Sequence, residues 1–280
     1  MKITGKSIFT VLILAAMSSN LMAGDYAALK FIGFSRDGKY LAFEESGQWD
    51  GSGGEYATTY YVDTAKNSFA AKPTVFEWED SAPGYKRLLS QYKTRVPPQL
   101  KKFGIVSGNT GEMVVAHFLN DMSFVTPAAA RRQYFYEEGS KEPVYKMAPD
   151  YKGAFLRRDD ASVEKVIFNP AIDPYNQNTH EFYELTLIPT PAKETATCSG
   201  GYKIEMTLKD NTQHYATDLL VLQKDGDVLP ERRQCPYGYR VERVYVYKNK
   251  IAVFLNVFGQ GFEGPDMRYM VVTGDLPAGK

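Results

Sequence analysis

Several chemical signatures are scarce or missing in this chain of 280 residues, and each shortage argues against a class of protein. The chain has two cysteines and three histidines, and His117, His180 and His214 stand in unrelated sequence contexts. It contains no Gly-x-Ser-x-Gly elbow, no phosphate-binding loop and no dinucleotide fingerprint. Ser52 in a glycine-rich stretch lacks an accompanying histidine motif, so it does not read as a nucleophile. We therefore predict no catalytic triad, no metal site and no cofactor.

Net charge and long apolar runs are also limited. Lysine and arginine together number 33, as do aspartate and glutamate. Nucleic-acid binding needs a basic surface, so this balance argues against a nucleic-acid partner. After the first 23 residues no segment is apolar enough to cross a bilayer, and we predict no membrane span after signal removal.

The first residues have the pattern of a secretory signal peptide. Lys2 and Lys6 flank the start of a mostly apolar run from Ile8 to Met17, which is too short to span a bilayer. Cleavage after Ala23 is our prediction, and cleavage after Ser18 is the alternative. An uncleaved membrane anchor is the other interpretation. The signal predicts a bacterial protein that is periplasmic or secreted.

The two cysteines predict a disulfide bond. An even number of cysteines in an exported chain favours pairing, and Cys198 and Cys235 both lie in turn-like sequence. The alternative is a metal site shared with His180 or His214, but no Cys-x-x-Cys or His-x-x-x-His spacing supports it. We therefore predict that the bond joins two loops.

Most of the chain has the pattern of antiparallel β-structure. Apolar and polar residues alternate over residues 183–187 and again over residues 202–208, which predicts a meander with one solvated face. The segments Val244–Tyr247 and Ile251–Phe258 predict a hairpin. We assign residues 24–280 to one mainly β domain, with antiparallel sheets arranged like propeller blades or like a sandwich.

One segment breaks the β pattern. We predict a helical insert around residues 82–103, capped by Asp80 or Ser81, which ends at Pro97–Pro98 before a short second helix. The plain interpretation is that this insert covers a sheet edge, and the alternative is that it binds a partner. The residues at helical spacing are Tyr85, Leu88, Leu89, Tyr92 and Val96.

The two ends of the chain carry similar strand–loop–strand units. The first runs from Phe34 to Thr64 and the second from Val246 to Thr273. Each has a turn, an apolar strand, a Gly-Gln pair, an aromatic–acid–glycine element and a second strand with tyrosine. Because a single hairpin is only marginally stable, we predict that the two units share one sheet or stack as neighbours.

Two resemblances follow from these segments. The stretch FSRDGKYLAF from Phe34 to Phe43, followed by Tyr61–Thr64, resembles one blade of a TolB-type β-propeller. The segments FIGFSRDGKYLAFEESGQWDGSG, KKFGI, CPYGYRV and VFLNVFGQGFEGPDMRYMVVTG resemble a bacterial family of predicted secreted proteins of unknown function, with most of the likeness in Gly261–Asp266. The second resemblance implies export and a shared architecture, and it assigns no catalytic residue.

The loops of the two units hold the candidate ligand-binding residues. Residues 47–54 include four glycines and are predicted to form a loop. Aromatic faces beside carboxylates suit stacking on a sugar or binding of a cation through oxygen. The alternative, which the sequence favours, is that these residues have only structural roles: the glycines set the turns, the aromatics fill the core and the acids cap loop amides. The candidates are Trp49, Asp50, Glu55, Phe262, Glu263 and Asp266.

Together these patterns predict an exported, non-enzymatic binding or scaffold module of the cell envelope, with an envelope protein or a glycan as partner. The alternative is a hydrolase acting on an envelope polymer or glycan through loop carboxylates. That reaction needs two facing carboxyl groups, and a sequence does not show which acids face each other.

Overall fold

The computed structural model describes the chain in several stretches. The long ones are 24–49, 51–80, 82–117, 238–260 and 265–276. The short ones are 134–135, 144–145, 164–168, 181–190, 201–210, 215–216 and 219–226, with the single residues 229, 233 and 236. The predicted signal peptide and both cysteines of the predicted disulfide lie outside these residues, so both stay predictions.

The described elements are sixteen strands and one helix. In chain order they are β1 (Ala28–Phe34), β2 (Tyr40–Gln48), β3 (Glu55–Asp63), β4 (Ser68–Phe69), β5 (Thr74–Trp78), α1 (Tyr85–Lys102), β6 (Glu112–Ala116), β7 (Tyr134–Phe135), β8 (Val144–Tyr145), β9 (Glu164–Phe168), β10 (Glu181–Thr190), β11 (Gly201–Asp210), β12 (Tyr215–Ala216), β13 (Leu220–Lys224), β14 (Gly238–Tyr247), β15 (Lys250–Gln260) and β16 (Pro265–Asp275).

These strands form three antiparallel sheets and one two-stranded pair, β7–β8. The N-terminal sheet has the order β1-β2-β3-β4, with β5 also beside β3. The intervening sheet has the order β12-β11-β10-β9, with β13 also beside β11. The C-terminal sheet has the order β16-β15-β14-β6, so β6 joins a sheet made otherwise of the last three strands. The predicted mainly β class is confirmed, and the described strands form neither a closed barrel nor a propeller.

The C-terminal sheet is the middle layer of the stack. One of its faces packs on the N-terminal sheet, in a core that contains Phe43 and Phe254. Its other face packs on the intervening sheet, in a core that contains Leu185, Val253 and Leu255. Adjacent residues of a strand point to opposite faces, so β15 supplies side chains to both cores. This explains why every residue from 251 to 258 is buried.

A polar side chain in the turn between β3 and β4 links the three sheets. Asn67 has a positive φ of 49°. Its Nδ2 donates to Oε1 of Gln223 in β13 at 2.7 Å, and its Oδ1 accepts from the backbone N–H of Thr273 in β16 at 2.9 Å. The hydroxyl of Thr273 donates in turn to the carbonyl oxygen of Thr64 at 2.9 Å. One asparagine thus ties this end of the three layers together.

The helix lies on the outer face of the N-terminal sheet and differs from its prediction at both ends. It begins after Gly84, whose φ of 98° suits glycine, and no side chain caps it. It also continues through Pro97 and Pro98, so the predicted break there is wrong. Each proline removes one N–H donor, and its ring crowds the carbonyl group of the preceding turn. Beyond them, Leu100 and Phe103 pack on the sheet in a small core, which holds the last turns in place.

The helix was predicted to cover a sheet edge; it contacts the edge strand β5 but also packs on the outer face of the sheet. The hydroxyl of Tyr92 donates to Oε2 of Glu44 at 2.6 Å, and its ring lies 6.2 Å from that of Phe76. Tyr92 is the one buried residue of the helix, so the packing runs along a narrow line. No helix in the described part of the chain is long and apolar enough to cross a membrane.

The two similar hairpins stack on each other in the same direction, which confirms the prediction that they are neighbours. At the turn end, the hydroxyl of Tyr247 donates to the carbonyl oxygen of Arg36 at 3.1 Å. At the loop end, the guanidinium carbon of Arg268 lies 5.1 Å from the ring of Trp49. The end of β2 and the start of β3 therefore meet the start of β16, which places two of the candidate segments side by side.

A candidate binding site at the loop end of the hairpins

Trp49, Tyr56 and Arg268 form a stack at this end of the fold. The guanidinium carbon of Arg268 lies 4.8 Å from the ring centre of Tyr56 and 5.1 Å from that of Trp49. The two aromatic rings are 4.5 Å apart and tilted by 37°. Nη1 of Arg268 also donates to the Tyr56 hydroxyl at 2.7 Å. Cation–π attraction and the hydrogen bond together fix the guanidinium plane.

The first described residues complete this stack from the other side. Nη1 of Arg268 donates to the carbonyl oxygen of Asp25 at 3.1 Å, and Nη2 lies 3.4 Å from Oδ2 of the same residue. The backbone N–H of Asp25 donates to Oδ1 of Asp266 at 3.0 Å. Backbone bonds between Met267 and its neighbours Asp25 and Ala27 align this segment with β16. Asp266, a predicted site residue, therefore lies close to Arg268.

A buried carboxyl group lies beneath the stack. Oε1 of Glu45 accepts from the Tyr60 hydroxyl at 2.9 Å, and its Oε2 accepts from the backbone N–H of Tyr269 at 3.0 Å. Burial raises the pKa of Glu45, while these two hydrogen bonds and the charge of Arg268 oppose that shift. Burial likewise raises the pKa of Tyr56 to about 12, so its hydroxyl stays protonated at neutral pH.

Two glycines let the aromatic rings approach the backbone. A Cβ added at Gly47 would lie 2.5 Å from the Tyr56 hydroxyl oxygen. A Cβ added at Gly54 would lie 2.6 Å from the carbonyl oxygen of Trp78 and 3.2 Å from Cδ1 of Trp49. The loop was predicted over residues 47–54, but β2 continues to Gln48 and β3 begins at residue 55, so the loop is shorter and both Gly47 and Gly54 lie at or beside a strand end. The glycines shape the strand ends as well as the loop.

The structure brings together only some of the predicted site residues. Trp49 and Asp266 lie on the Arg268 side. Glu55 is directed to the helix, where its Oε2 accepts from the Tyr85 hydroxyl at 2.8 Å. Its neighbour Tyr56 faces the C-terminal sheet, as the alternation of a strand requires. The other three predicted residues, Asp50, Phe262 and Glu263, lie outside the described residues.

Sequence reasoning missed the central residue of the stack. Arg268 lies two positions after Asp266, so the two share one face of β16. An opposite-charge pair at this spacing, directly after a loop that already held candidate residues, was the available signal. Tyr56, directly after the candidate Glu55, was the second.

A second polar cluster lies within the C-terminal sheet. Glu242 sits at a β-bulge in β14, accepts a hydrogen bond from Nε of Arg243 at 2.8 Å, and also accepts from the fully buried amide of Asn256. Arg240 is also buried, and its Nη2 donates to the carbonyl oxygen of His117 at 2.8 Å. Burial lowers the pKa of Arg240. This enclosed cluster fixes the pairing of β14 with β15, and among the described residues no group of acids, histidines and cysteines is arranged to hold a metal.

No curated protein and no solved structure matches the chain. The sequence model of one family, described as "Predicted secreted protein (DUF2259)", matches residues 42–275. That range contains β2 to β16 almost entirely, including the three stacked sheets and most of the Arg268 stack. The chain therefore belongs to this family of predicted secreted proteins.

Proposed function

We propose that this protein is a non-enzymatic binding module of the cell envelope and that it binds a glycan at the stack of Trp49, Tyr56 and Arg268. The observation that carries the proposal is the partly exposed indole of Trp49 beside a guanidinium whose plane is fixed. Apolar faces of sugar rings stack on aromatic side chains, while guanidinium and carboxylate groups bind sugar hydroxyls. Trp49 would supply the stacking surface, and Arg268 with Asp266 the polar contacts.

The placement of the acids supports binding over hydrolysis. A glycoside hydrolase uses two carboxyl groups that face each other across the scissile bond. Glu55, one of the acids considered for that role, is bound by Tyr85 on the helix side. Asp25 and Asp266 are engaged with Arg268 and with the backbone of residue 25. These engagements suit acceptor groups that hold a ligand, whereas a general acid must be free to exchange its proton.

The location of the protein is part of this proposal. The predicted signal peptide and the family description agree on export, and we place the mature chain in the periplasm or outside the cell. Amino-terminal sequencing of protein recovered from the periplasm and from the medium tests this. Mature protein starting at Gly24 or Ser19 supports export, and an intact amino terminus on membrane-bound protein contradicts it.

Export is coupled to the proposed Cys198–Cys235 disulfide. Mass spectrometry of peptides from the non-reduced exported protein should find the two cysteines in one cross-linked species. Two free thiols in that material would exclude the bond. Closing a loop of this length would contribute roughly 3.5–4 kcal/mol on the chain-entropy account.

The glycan test exploits the presence of only two tryptophans. Trp78 packs on Tyr85 of α1, so Trp78→Phe leaves Trp49 as the reporter at the site. Titration of this variant with soluble oligosaccharides released from peptidoglycan should give a saturable change in fluorescence. Trp49→Phe, which keeps Trp78, should give none. Unchanged fluorescence of the Trp78→Phe variant during the titration would contradict glycan binding at the stack.

A matched pair of arginine substitutions separates the site from general charge. Arg268→Lys keeps the charge but loses the planar stacking group, and it should weaken binding measured by calorimetry. Arg95→Lys on the exposed side of α1 is the control and should bind normally. Equal affinities of the two variants would exclude Arg268 from the site.

Phe262 is tested by the same titration. If Phe262 contacts the ligand, Phe262→Ala should lose binding while melting as the wild type does. If Phe262 belongs to the core, the substitution should lower the free energy of unfolding by ~3–5 kcal/mol. That result would exclude Phe262 from the proposed site. The hydrolase alternative is tested alongside: steady release of reducing ends that Glu263→Gln abolishes would replace binding with catalysis.

A further inference from the structure

The helix α1 carries charge of one sign only. Its eighteen residues include six cations and no aspartate or glutamate, in a chain whose acidic and basic residues are equal in number. A helix stabilised by its own surface charges would pair them with acids three or four residues away, and α1 has none to pair. The six cations are Lys86, Arg87, Lys93, Arg95, Lys101 and Lys102.

All six cations are exposed. The opposite side of the helix packs on the N-terminal sheet through Tyr85, Tyr92 and Leu100. At 3.6 residues per turn and 1.5 Å per residue, the cations are spread over the half of the helix that points away from the sheet, along roughly 24 Å. The helix therefore presents a broad convex basic face and no groove.

The cations of this basic face are not neutralised within the described structure. None of them forms an ion pair with a described residue. The two acids that face the helix from the sheet, Glu44 and Glu55, accept hydrogen bonds from Tyr92 and Tyr85 beneath it. The tyrosine hydroxyls on the inner side of the helix thus bind the acids of the sheet, and the six cations on the outer side remain in contact with solvent.

We propose that this basic face docks the protein on an anionic phospholipid surface. Four of the six cations are lysines, which act as point charges without the forked geometry that reads a defined ligand. A broad convex array fits a fluid plane of headgroups, which rearranges to meet it, better than a folded partner with a fixed shape. The contact is electrostatic, because the outward side carries charges and the rings of Pro97 and Pro98 but no exposed aromatic residue to insert. The surface lies on α1 and is separate from the stack at Trp49.

Co-sedimentation of the mature protein with lipid vesicles tests the proposal. We expect binding to phosphatidylglycerol vesicles at low salt, little binding to phosphatidylcholine vesicles, and release at high salt. Replacing both Lys86 and Lys93 by glutamine should lower the partition coefficient of the protein onto the vesicles on the order of 25-fold, about fivefold for each cation removed. The control changes Lys66 and Lys224 to glutamine, since these exposed lysines belong to the turn between β3 and β4 and to β13 rather than to α1. It should partition as the wild type does.

Three results would overturn the proposal. They are absence of binding to phosphatidylglycerol at low salt, equal loss in the helix variant and the control, and tighter binding to soluble dextran sulfate than to vesicles at equal charge. The last would assign the face to a polyanion rather than to a lipid surface. Thermal melting shows that each variant is folded, and glycan titration of the helix variant should be unchanged, which separates this surface from the proposed glycan site.

Discussion

The hairpin β2–β3 lies in an outer layer of the stack, whereas the similar hairpin β15–β16 lies in the middle layer. In β2, three consecutive residues from Leu41 to Phe43 are buried, and burial then alternates. In β15, eight consecutive residues from 251 to 258 are buried. Two units of similar sequence pattern thus have different surroundings. The length of the uninterrupted buried run distinguishes β15, which is covered on both faces along these eight residues, from β2, whose outer face is fully covered only near Ala42, where the small core beneath α1 lies.

The hairpins also differ in how they satisfy a buried polar group. Glu45 in β2 accepts a hydrogen bond from the Tyr60 hydroxyl of its own sheet and another from the backbone N–H of Tyr269 in the adjoining sheet. Asn256 in β15 donates to Glu242 on the neighbouring strand of its own sheet. The outer hairpin therefore uses its polar residue to hold the next layer, and the middle hairpin uses its polar residue to fix strand pairing. Both oxygens of the Glu45 carboxyl group accept hydrogen bonds, whereas only the Nδ2 of Asn256 is bonded and its buried Oδ1 has no partner among the described residues.

Removing the middle layer should have the largest effect. Deletion of residues 241–280 exposes the inner faces of both other sheets, and we expect the rest of the mature chain to lose its cooperative melting transition. Circular dichroism during heating measures this. A truncated protein that keeps β-type circular dichroism and a sharp transition would show that the outer layers are stable without the middle one.

A single ring in the middle strand should have the next largest effect. Phe254 is fully buried, and its ring centre lies 5.1 Å from that of Phe31 and 5.5 Å from that of Phe43. We expect Phe254→Ala to lower the free energy of unfolding by ~3–5 kcal/mol in chemical denaturation. Phe69→Ala is the matched control, because Phe69 is 56% exposed on the outer sheet. Equal losses would contradict the difference between the layers.

Local patterns predicted the elements, and contacts distant in sequence escaped prediction. The alternation around Leu185 and Ile204 and the hairpin turn at Lys248 follow from residues close together in the chain. For the run from Ile251 to Phe258, the sequence analysis predicts one strand of a hairpin and does not predict burial on both faces. Its length already indicated a strand covered on both faces, so the middle layer was predictable from that segment.

Other features depend on partners that the sequence places far away. Strand β6 pairs with β14 through Val115 and Val244, and nothing near Val115 specifies that partner. The helix passes Pro97 and Pro98 because Leu100 and Phe103 pack on the sheet beyond them, which outweighs the local tendency to stop. The candidate site was predicted as far as Trp49 and Asp266. The spacing of Arg268 from Asp266 was a signal in the sequence, but the contacts of Arg268 with Trp49 and Tyr56 depend on how β16 lies against the N-terminal sheet.

A smaller effect should follow from loosening the outer layer at its helix. Tyr92→Phe removes a hydroxyl that lies 2.6 Å from both Oε2 of Glu44 and Oγ1 of Thr59. Leaving the buried Thr59 hydroxyl and the partly buried Glu44 carboxylate without this partner should cost about 1–3 kcal/mol of unfolding free energy. Tyr85→Phe is the control and should change little, since that hydroxyl is near solvent. Equal stabilities of the two variants would show that the Tyr92 contact contributes nothing.

The smallest predicted effect is a slope of stability with pH that comes from Glu45 of the outer hairpin. Burial raises its pKa in the folded protein above the ordinary value of 4.5. Between that value and the raised one, the folded state holds a proton that the unfolded state has released. The unfolding free energy therefore decreases as pH rises through this window, and the contribution of the protonated form is complete only below it.

The charge of Arg268 and the hydrogen bonds from Tyr60 and Tyr269 oppose the shift in Glu45, which keeps the slope shallow. Glu45→Gln removes the ionisable group, so the difference in unfolding free energy between wild type and variant should change steadily across the window in denaturation series at several pH values. Asn256→Asp gives the middle hairpin a buried carboxyl group beside Glu242. We expect this variant to show a steeper decrease with pH, because two carboxylates would then lie together without solvent. A wild type whose stability runs parallel to that of Glu45→Gln would show that Glu45 has the same pKa in both states, and that its hydrogen bonds and Arg268 fully offset its burial.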